Sequence, residues 1–191
     1  MTTWRATQKA NRRAELMASA ARLFAERGFA AVSTADLGDA VGMSGPALYR
    51  HFASKEALLC DLLVDASERL LEGGRGLTSS GGGPREVFDA LIAFHLDFAT
   101  SDADVIRVQD RELASLPADV NQRVRRLQRE YVREWDRPLA ALRPDLDDAE
   151  RETRLLAAFG LLNSTPHSAA PSGERAGGIL AGMARRALLG D

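Results

Sequence analysis

A short stretch near residue 50 carries side chains whose types suit contact with DNA. Arg50 can donate paired hydrogen bonds to a guanine edge, and Ala47 can contact a thymine methyl group. An aromatic or cationic side chain beside them can hold backbone phosphates, which position a protein without reading sequence. The predicted DNA-contacting residues are Thr34, Ser44, Gly45, Pro46, Ala47, Tyr49, Arg50, His51 and Lys55.

Two short helices joined by a tight turn are predicted to position this face. An apolar pattern around Leu37 ends at Gly42, and glycine readily adopts the left-handed conformation that closes a helix. Ser44 can cap a second helix, in which Leu48 and Phe52 face inward. This arrangement is typical of a helix-turn-helix, whose second helix enters the DNA major groove. The alternative interpretation is a surface hairpin of helices that has no partner.

The same part of the chain resembles the DNA-binding domain of the TetR family of bacterial transcriptional regulators. The resemblance rests on LFAERGF at 23–29, GMSGPALYRHF at 42–52 and SKEALL at 54–59, and it covers roughly the first 60 residues. Gly38 and Asp39 depart from it, since the family more often has alanine and a variable residue there. The resemblance implies a homodimeric repressor that binds a palindromic operator in double-stranded DNA and responds to a small-molecule effector.

Charge and composition agree with a DNA-binding head on an acidic body. Residues 1–55 hold eight Lys or Arg against four Asp or Glu, a net charge of +4, so the remainder carries −6 of the total of −2. A single cysteine, Cys60, argues against a disulfide framework. No apolar run long enough to span a membrane and no signal peptide is apparent. We therefore expect a cytoplasmic protein that does not enter a membrane.

Apolar periodicity predicts helices along the whole chain. The fold is expected to be all-α with about nine helices. A three-helix head occupies residues 1–55, and a helical ligand-binding and dimerisation body occupies 56–191. The tail up to Lys9 is expected to be mobile, and the segment 73–84, GGRGLTSSGGGP, is expected to be a flexible loop. The predicted helices are 10–27, the two of the helix-turn-helix, 54–72, 84–100, 105–116, 117–142, 147–163 and 173–189.

The body offers candidates for a ligand pocket. His95 falls on the same side as the aromatic and apolar residues of its helix, and it is either a satisfied core residue or a ligand contact. The helix from Val105 faces it with polar side chains, which suit a mixed ligand or equally a solvated surface. The predicted ligand-binding residues are Phe88, Ile92, His95, Arg107, Asp110, Arg126, Tyr131, Trp135, Phe159 and Asn163.

A row of arginines follows one side of the longest predicted helix. Guanidinium groups make paired contacts to phosphate oxygens, so the row is suited to an anionic ligand such as the phosphates of a coenzyme A ester. Acidic residues are interleaved, and a salt-bridged solvated face is the alternative. The arginines are Arg123, Arg126, Arg129, Arg133 and Arg137.

The body also resembles the TetR subgroup that responds to acyl-CoA and steroid-derived CoA thioesters. The resemblance lies in VIRVQDREL at 105–113 and LQREYVREW at 127–135. That subgroup often has aromatic residues after an asparagine near the end of the penultimate helix, whereas Ser164 and Thr165 follow Asn163 here. An acyl-CoA-type effector is thus implied by the resemblance alone.

Three functions follow from these patterns. The first is the ligand-responsive repressor, dimerising through the last two helices, whose apolar and small faces suit self-association. The alternative for these two helices is that both pack inside one subunit. The second is a regulator controlled by a protein partner or by abundance. The third is an enzyme with a helix-turn-helix head, but His95 with Asp97, or His167 with Ser164, lacks a defensible nucleophile–base spacing. The scattered histidines form no metal-ligand set, so neither an enzyme nor a cofactor is expected.

Overall fold

The computed structural model describes residues 4–43, 45–168 and 173–190, and Ser44 lies outside them. Throughout these residues the chain is helical and contains no strand, as predicted. None of the described helices is both long and apolar enough to cross a membrane. Short 3₁₀ helices occupy Leu113–Ser115 and Gly173–Arg175. The α-helices are α1 Trp4–Arg27, α2 Thr34–Asp39, α3 Gly45–Leu48, α4 Lys55–Thr78, α5 Pro84–Ser101, α6 Ala103–Glu112, α7 Ala118–Leu142, α8 Asp148–Asn163, α9 Thr165–Ser168 and α10 Ala176–Leu189.

The N-terminal helix is longer than its apolar pattern suggests. Helix α1 begins at Trp4, so the prediction of a mobile tail up to Lys9 was wrong for the residues described. Trp4 is exposed, and so are the side chains of residues 7–12. The first turns of α1 hold alanine, glutamine, lysine and arginine, which have high helix propensity and continue the helix. Basic side chains of this extension therefore have a defined direction.

Helix α4 continues through the first half of the segment that was expected to be a flexible loop. The prediction was wrong for residues 73–78, and the connection to α5 is short. Two glycines allow other helices to approach closely: a Cβ on Gly73 would lie 2.2 Å from the ring of Phe94, and one on Gly74 would lie 2.7 Å from the ring of Tyr131. At the end of the helix, Thr78 donates a hydrogen bond of 2.7 Å to buried Glu134 on α7. The glycines therefore serve packing rather than flexibility.

Two hydrophobic cores lie along α4. The head core joins α1, α2, α3 and the first half of α4, and it includes Leu16, Leu37, Leu48 and Leu63. Residues of α6 and the end of α5 also belong to it, so this core extends beyond the predicted head of residues 1–55. The body core joins the end of α4 to α5, α7, α8 and α10 around Trp135.

Side chains of α6 donate hydrogen bonds to the end of α1 in the head and to the segment after α8 in the body. Arg111 donates to the carbonyl oxygens of Phe24 and Ala25, at 3.1 and 2.5 Å, in the last turn of α1. One turn earlier, Arg107 donates to the carbonyl oxygen of Pro166 at 2.8 Å, in the segment after α8. A positively charged group near the C-terminal end of a helix is favourable because that end carries partial negative charge. Helix α6 thus connects the head to the end of the body.

The last helices form a pair as expected. The carboxylate of Asp147 caps α8 by accepting from the backbone N–H of Glu150 at 2.8 Å. The following residues, predicted as a loop, include the short helix α9, while residues 169–172 lie outside the described part of the chain. Buried Leu180 and Leu188 on α10 pack in the body core with Leu155 and Leu162 on α8.

Candidate functional site

The helix-turn-helix is built by local capping. Ser33 precedes α2 and accepts from the backbone N–H of Asp36 at 3.1 Å, while the Asp36 carboxylate accepts from the backbone N–H of Ser33 at 2.8 Å. This reciprocal pair leaves Thr34 half-buried at the first helical position. After α2, Gly42 has φ +64°, the left-handed conformation expected from the sequence. The turn therefore brings α3 against α2 with a defined angle.

The recognition segment is the short helix α3 together with the turn that follows it. Leu48 and Phe52 are buried, as the spacing predicted, whereas Tyr49 is 53% exposed and Arg50 is also exposed. Ala47 departs from the prediction, because only 7% of it is exposed and it packs inward rather than facing a groove. Gly45 and Pro46 form the first residues of α3. Tyr49 and Arg50 thus remain as outward-facing side chains of this segment.

Lys55 makes contacts within the protein that its predicted role as a DNA contact did not include. Its ammonium group donates to the carbonyl oxygens of Phe29 and Val32 at 2.9 and 2.8 Å, in the connection between α1 and α2. It also lies 4.3 Å from the centre of the Phe29 ring. These contacts compensate the half-buried charge within the protein. Lys55 therefore supports the backbone ahead of α2, and its contact with DNA stays a prediction.

A cluster of cations surrounds His51. Its Nδ1 atom is buried without a hydrogen-bond partner among the described residues. Burial lowers the pKa of His51, and repulsion by Lys9, Arg50, Arg12 and Arg13 lowers that pKa further. Arg13 is held by Asp61 at 2.8 Å, but the repulsion shows that the α1 extension and the recognition segment present positive charge to the same region. Such a surface is suited to a polyanion.

A cavity of about 210 Å³ lies where the head core meets the body core. Phe98, Val105 and Ile106 approach it from the head core, and Tyr131 approaches from the body core. Leu156, which is 55% exposed, lies at its wall and marks where the cavity meets the surface. The lining residues are Ala66, Ser67, Leu70, His95, Phe98, Val105, Ile106, Gln109, Gln128, Tyr131, Val132, Leu156, Phe159 and Asn163.

A line of polar groups crosses the aromatic wall of this cavity. His95 is 2% exposed, and its Nε2 atom lies 3.0 Å from Oδ1 of Asn163, which accepts the hydrogen bond. Its Nδ1 atom lies 3.4 Å from the Tyr131 hydroxyl. Burial lowers the pKa of His95 to about 4 and raises that of Tyr131, so both are neutral near pH 7. Because no lining side chain carries a charge at that pH, the cavity is suited to an uncharged group with hydrogen-bonding atoms.

The structure brings together four of the predicted ligand residues and separates the rest. His95, Tyr131, Phe159 and Asn163 line the cavity. Phe88, Ile92 and Trp135 are buried beside it in the body core, where Phe88 and Trp135 make an edge-to-face contact with ring centres 5.6 Å apart. They belong to the apolar faces of α5 and α7, so the apolar pattern of the sequence included them among the predicted ligand-binding residues.

The charged residues predicted for the pocket lie outside the cavity wall. Arg107 is paired with Asp104 at 2.8 Å. Asp110 lies 3.6 Å from His167, and Arg126 is exposed near Glu130 at 4.0 Å. Sequence reasoning missed the polar lining groups Ser67 and Gln128, because single polar positions on long helices resemble solvated ones, and it included Gln109 only among the polar side chains of its helix. Among the described residues, no group of three His, Cys, Asp or Glu could hold a metal ion.

Comparison with known proteins places the chain in a family. A sequence profile of bacterial regulatory proteins of the tetR family matches residues 16–62. A profile of Tetracyclin repressor-like C-terminal domains matches residues 81–188, more than half of the chain. The chain belongs to the TetR family. The TetR family is one of regulatory proteins rather than enzymes.

Individual TetR-family relatives match the chain over different lengths. The HTH-type transcriptional repressor KstR2 of Rhodococcus jostii is 32% identical over 111 residues, which are 58% of this chain and 54% of that protein. The chain thus spans about half the length of the first curated relatives it matches. The HTH-type transcriptional repressor Rv1474c of Mycobacterium tuberculosis is 34% identical over 146 residues, 72% of this chain and 78% of that protein.

Solved structures of the TetR fold match nearly the whole chain. A TetR-family transcriptional regulator from Bordetella parapertussis is 27% identical, with a TM-score of 0.80 over 92% of this chain and 93% of that one. FadR from Bacillus subtilis, crystallised in complex with stearoyl-CoA, is 14% identical, with a TM-score of 0.72 over 93% of this chain and 98% of that one. The FadR match concerns the fold alone. Both agree with the all-α architecture.

Proposed function

We propose that this TetR-family chain is a DNA-binding transcriptional repressor that a small-molecule effector releases from its operator. The observation that carries the proposal is the capped helix-turn-helix, which leaves Tyr49 and Arg50 exposed beside a cluster of cations. Arg50 reads a base edge, and Tyr49, Thr34 and the α1 extension contact phosphates. The repressor names of KstR2 and Rv1474c support the same function.

The proposed repressor acts as a homodimer on a palindromic site. Ile179 and Met183 on α10 are exposed apolar side chains that do not line the cavity, at 48 and 43%. They lie on one of the two helices whose faces the sequence predicted for self-association. Pairing α8 and α10 with their copies buries these side chains and gives two helix-turn-helix heads related by two-fold symmetry, the arrangement that reads two half-sites.

The proposed effector binds in the cavity between the two cores. A body filled by side chains would favour control by a protein partner, and the cavity supports a small molecule instead. The uncharged lining is suited to an apolar group that carries a hydrogen-bonding oxygen, such as an acyl thioester. FadR, which shares the fold, was crystallised with stearoyl-CoA, and this agrees with an acyl-CoA-type effector.

The effector changes DNA affinity only if it binds one arrangement of the heads more tightly than the other. A coupling free energy of about 1–3 kcal/mol would lower operator affinity by roughly 5- to 150-fold. Helices α4 and α6 contribute to the cavity wall and to the head core, so a ligand contacts elements that position the head. We therefore assign DNA binding to residues 1–55 and ligand binding and dimerisation to 56–191, with α6 shared between the two cores.

Titration of labelled duplex DNA tests the repressor assignment. The duplex is the sequence upstream of the gene, and fluorescence anisotropy is measured at several salt concentrations with the purified full chain. Arg50→Ala should weaken specific binding by about 1–3 kcal/mol and relax the sequence preference at one position of each half-site. Tyr49→Ala should weaken binding to all sequences more evenly.

Arg125→Ala is the matched control, because it removes the same charge from α7 in the body. Arg125 is exposed, and its guanidinium donates within α7 to the side chain of Asn121 at 2.9 Å. It should bind the duplex as the wild-type protein does. Equal losses of DNA affinity in Arg50→Ala and Arg125→Ala would mean that the effect comes from overall charge. Unchanged affinity and sequence preference in Arg50→Ala would mean that Arg50 does not take part in DNA recognition.

A further inference from the structure

The arginines of α7 fall into two groups by their partners. Arg123 pairs with Glu68 at 2.6 Å, and Arg137 pairs with Glu134 at 2.9 Å. Arg126 lies near Glu130. Arg129 and Arg133 are exposed and have no ion-pair partner within the described residues. One turn of helix separates these two, so their guanidinium groups project from the same face of α7.

This unpaired pair lines a groove that adjoins the cavity. The groove has a volume of about 310 Å³ and lies between α7 and α8. Val132 and Leu156 belong to its wall and also to the wall of the cavity. The two spaces therefore share one apolar boundary, with uncharged groups on the inner side and two free guanidinium groups on the outer side.

We propose that Arg129 and Arg133 bind the anionic group, a phosphate or a carboxylate, of an effector whose apolar part lies in the cavity. The inference rests on the proposed effector function of that cavity. Two neighbouring guanidinium groups donate several charge-assisted hydrogen bonds to one anion. The cavity itself holds no charged side chain, so the charge of an amphipathic ligand must lie outside it. The groove places Arg129 and Arg133 beside Val132 and Leu156, on the outer side of the shared boundary.

Acidic residues of the groove determine where the anion lies. Asp136 and Asp148 both accept from Arg151, at 2.8 and 2.7 Å, so one of their two negative charges is compensated within the protein. Glu152 on α8 has no ion-pair partner among the described residues and repels an anion placed against α8. The anion therefore lies against α7, and removal of the Glu152 charge should tighten its binding.

Isothermal titration calorimetry with three probes tests the assignment on the full chain without DNA. Octanoyl-CoA carries phosphates, decanoate carries a carboxylate, and octanoyl-pantetheine has the acyl thioester without either anion. Wild-type protein should bind at least one anionic probe about tenfold more tightly than octanoyl-pantetheine. The double substitution Arg129→Ala/Arg133→Ala should abolish that preference and leave octanoyl-pantetheine binding within about twofold.

Arg123→Ala/Arg125→Ala is the matched control, since it removes the same charge from the same helix outside the groove. It should preserve the preference for the anion, and Glu152→Gln should increase it. If only the affinity for octanoyl-CoA depends on Arg129 and Arg133, the bound group is a phosphate. If the affinity for decanoate also depends on them, the site accepts a carboxylate. The proposal is overturned if no probe binds, if octanoyl-pantetheine binds as tightly as both anions, or if the two double variants lose affinity equally. DNA titrations without ligand report separately on the repressor assignment.

Discussion

The head core and the body core are packed differently along the same helix. The head core is mostly aliphatic, with Leu16, Leu37 and Leu48 fully buried, and its aromatic residues are phenylalanines such as Phe24 and Phe52. The body has a cluster of aromatic rings around Trp135, and buried ionisable groups are found there. In the described residues, the buried polar side chains are Ser67, His95, Glu134 and Thr165.

Because of this difference, we expect the head core to be rigid and the cavity beside the body core to adapt to a ligand. A close-packed aliphatic core has little freedom to rearrange and holds a recognition segment in one geometry. Buried polar groups are costly unless they are hydrogen-bonded, and His95 is satisfied mainly by Asn163 and weakly by Tyr131. These groups lie beside unfilled space, where a ligand can supply further contacts. The body core thus has unfilled space beside it, together with polar groups that can select a ligand by hydrogen bonding.

Substitution of two leucines of α4 by alanine compares the packing of the head core with that beside the cavity. Leu63 is fully buried in the head core, whereas Leu70 is half-buried and lines the cavity. Leu63→Ala should lower the free energy of unfolding by about 3 kcal/mol, because it opens a new void in a dense core. Leu70→Ala should cost only about 1 kcal/mol, since it enlarges a space that already exists. Urea unfolding followed by circular dichroism measures both, and equal losses would contradict the contrast between the cores.

The pH dependence of stability tests the buried histidine. His95 has a pKa of about 4 in the folded protein against an ordinary value of 6.5, so the unfolded chain binds a proton first as the pH falls. Its contribution to stability is complete above pH 6.5 and is lost progressively toward pH 4, by about 3 kcal/mol in total. His95→Gln should be less stable than wild type at pH 7, and the difference should shrink toward pH 4. A difference that is constant with pH would show that folding does not lower the pKa of His95.

Two nearby glycines of α4, Gly74 and Gly76, test the packing of the body at the scale of a single methyl group. An alanine methyl at Gly74 would lie 2.7 Å from the Tyr131 ring, so Gly74→Ala should cost about 1–2 kcal/mol after its gain in helix propensity. A Cβ at Gly76 meets nothing within 4 Å, so Gly76→Ala should stabilise by about 0.5–1 kcal/mol. Thermal unfolding gives the two signs. A stabilising Gly74→Ala would mean that α4 and α7 separate without penalty.

Local patterns predicted the head well. The spacing of Leu48 and Phe52 and the glycine at 42 determine which side chains are inside, and these features depend on residues close in sequence. The family resemblance was confirmed over both parts of the chain. Lys55 shows where local reasoning ends, because its partners, the carbonyl groups of Phe29 and Val32, are more than twenty residues away.

The cavity was predicted only in part because its wall depends on contacts between distant helices. His95, Tyr131, Phe159 and Asn163 were found as aromatic or polar residues on apolar faces. Ser67 and the two glutamines could not be distinguished from exposed residues, since helix periodicity assigns a face but not what faces it. The glycine-rich segment after residue 72 was misassigned for the same reason: its small residues accommodate rings from α5 and α7 that lie far away in the chain.

The close packing of Gly73 and Gly74 against the rings of Phe94 and Tyr131 fixes the end of α4 that lies near the cavity. Lys55 stands at the other end of this continuous helix, about 27 Å away at 1.5 Å per residue. In the effector-controlled repressor proposed above, a rotation of α4 by about 5° around the glycine contact would move the Lys55 end by about 2 Å. Because Lys55 holds the carbonyl groups just ahead of α2, such a movement would reach the start of the helix-turn-helix.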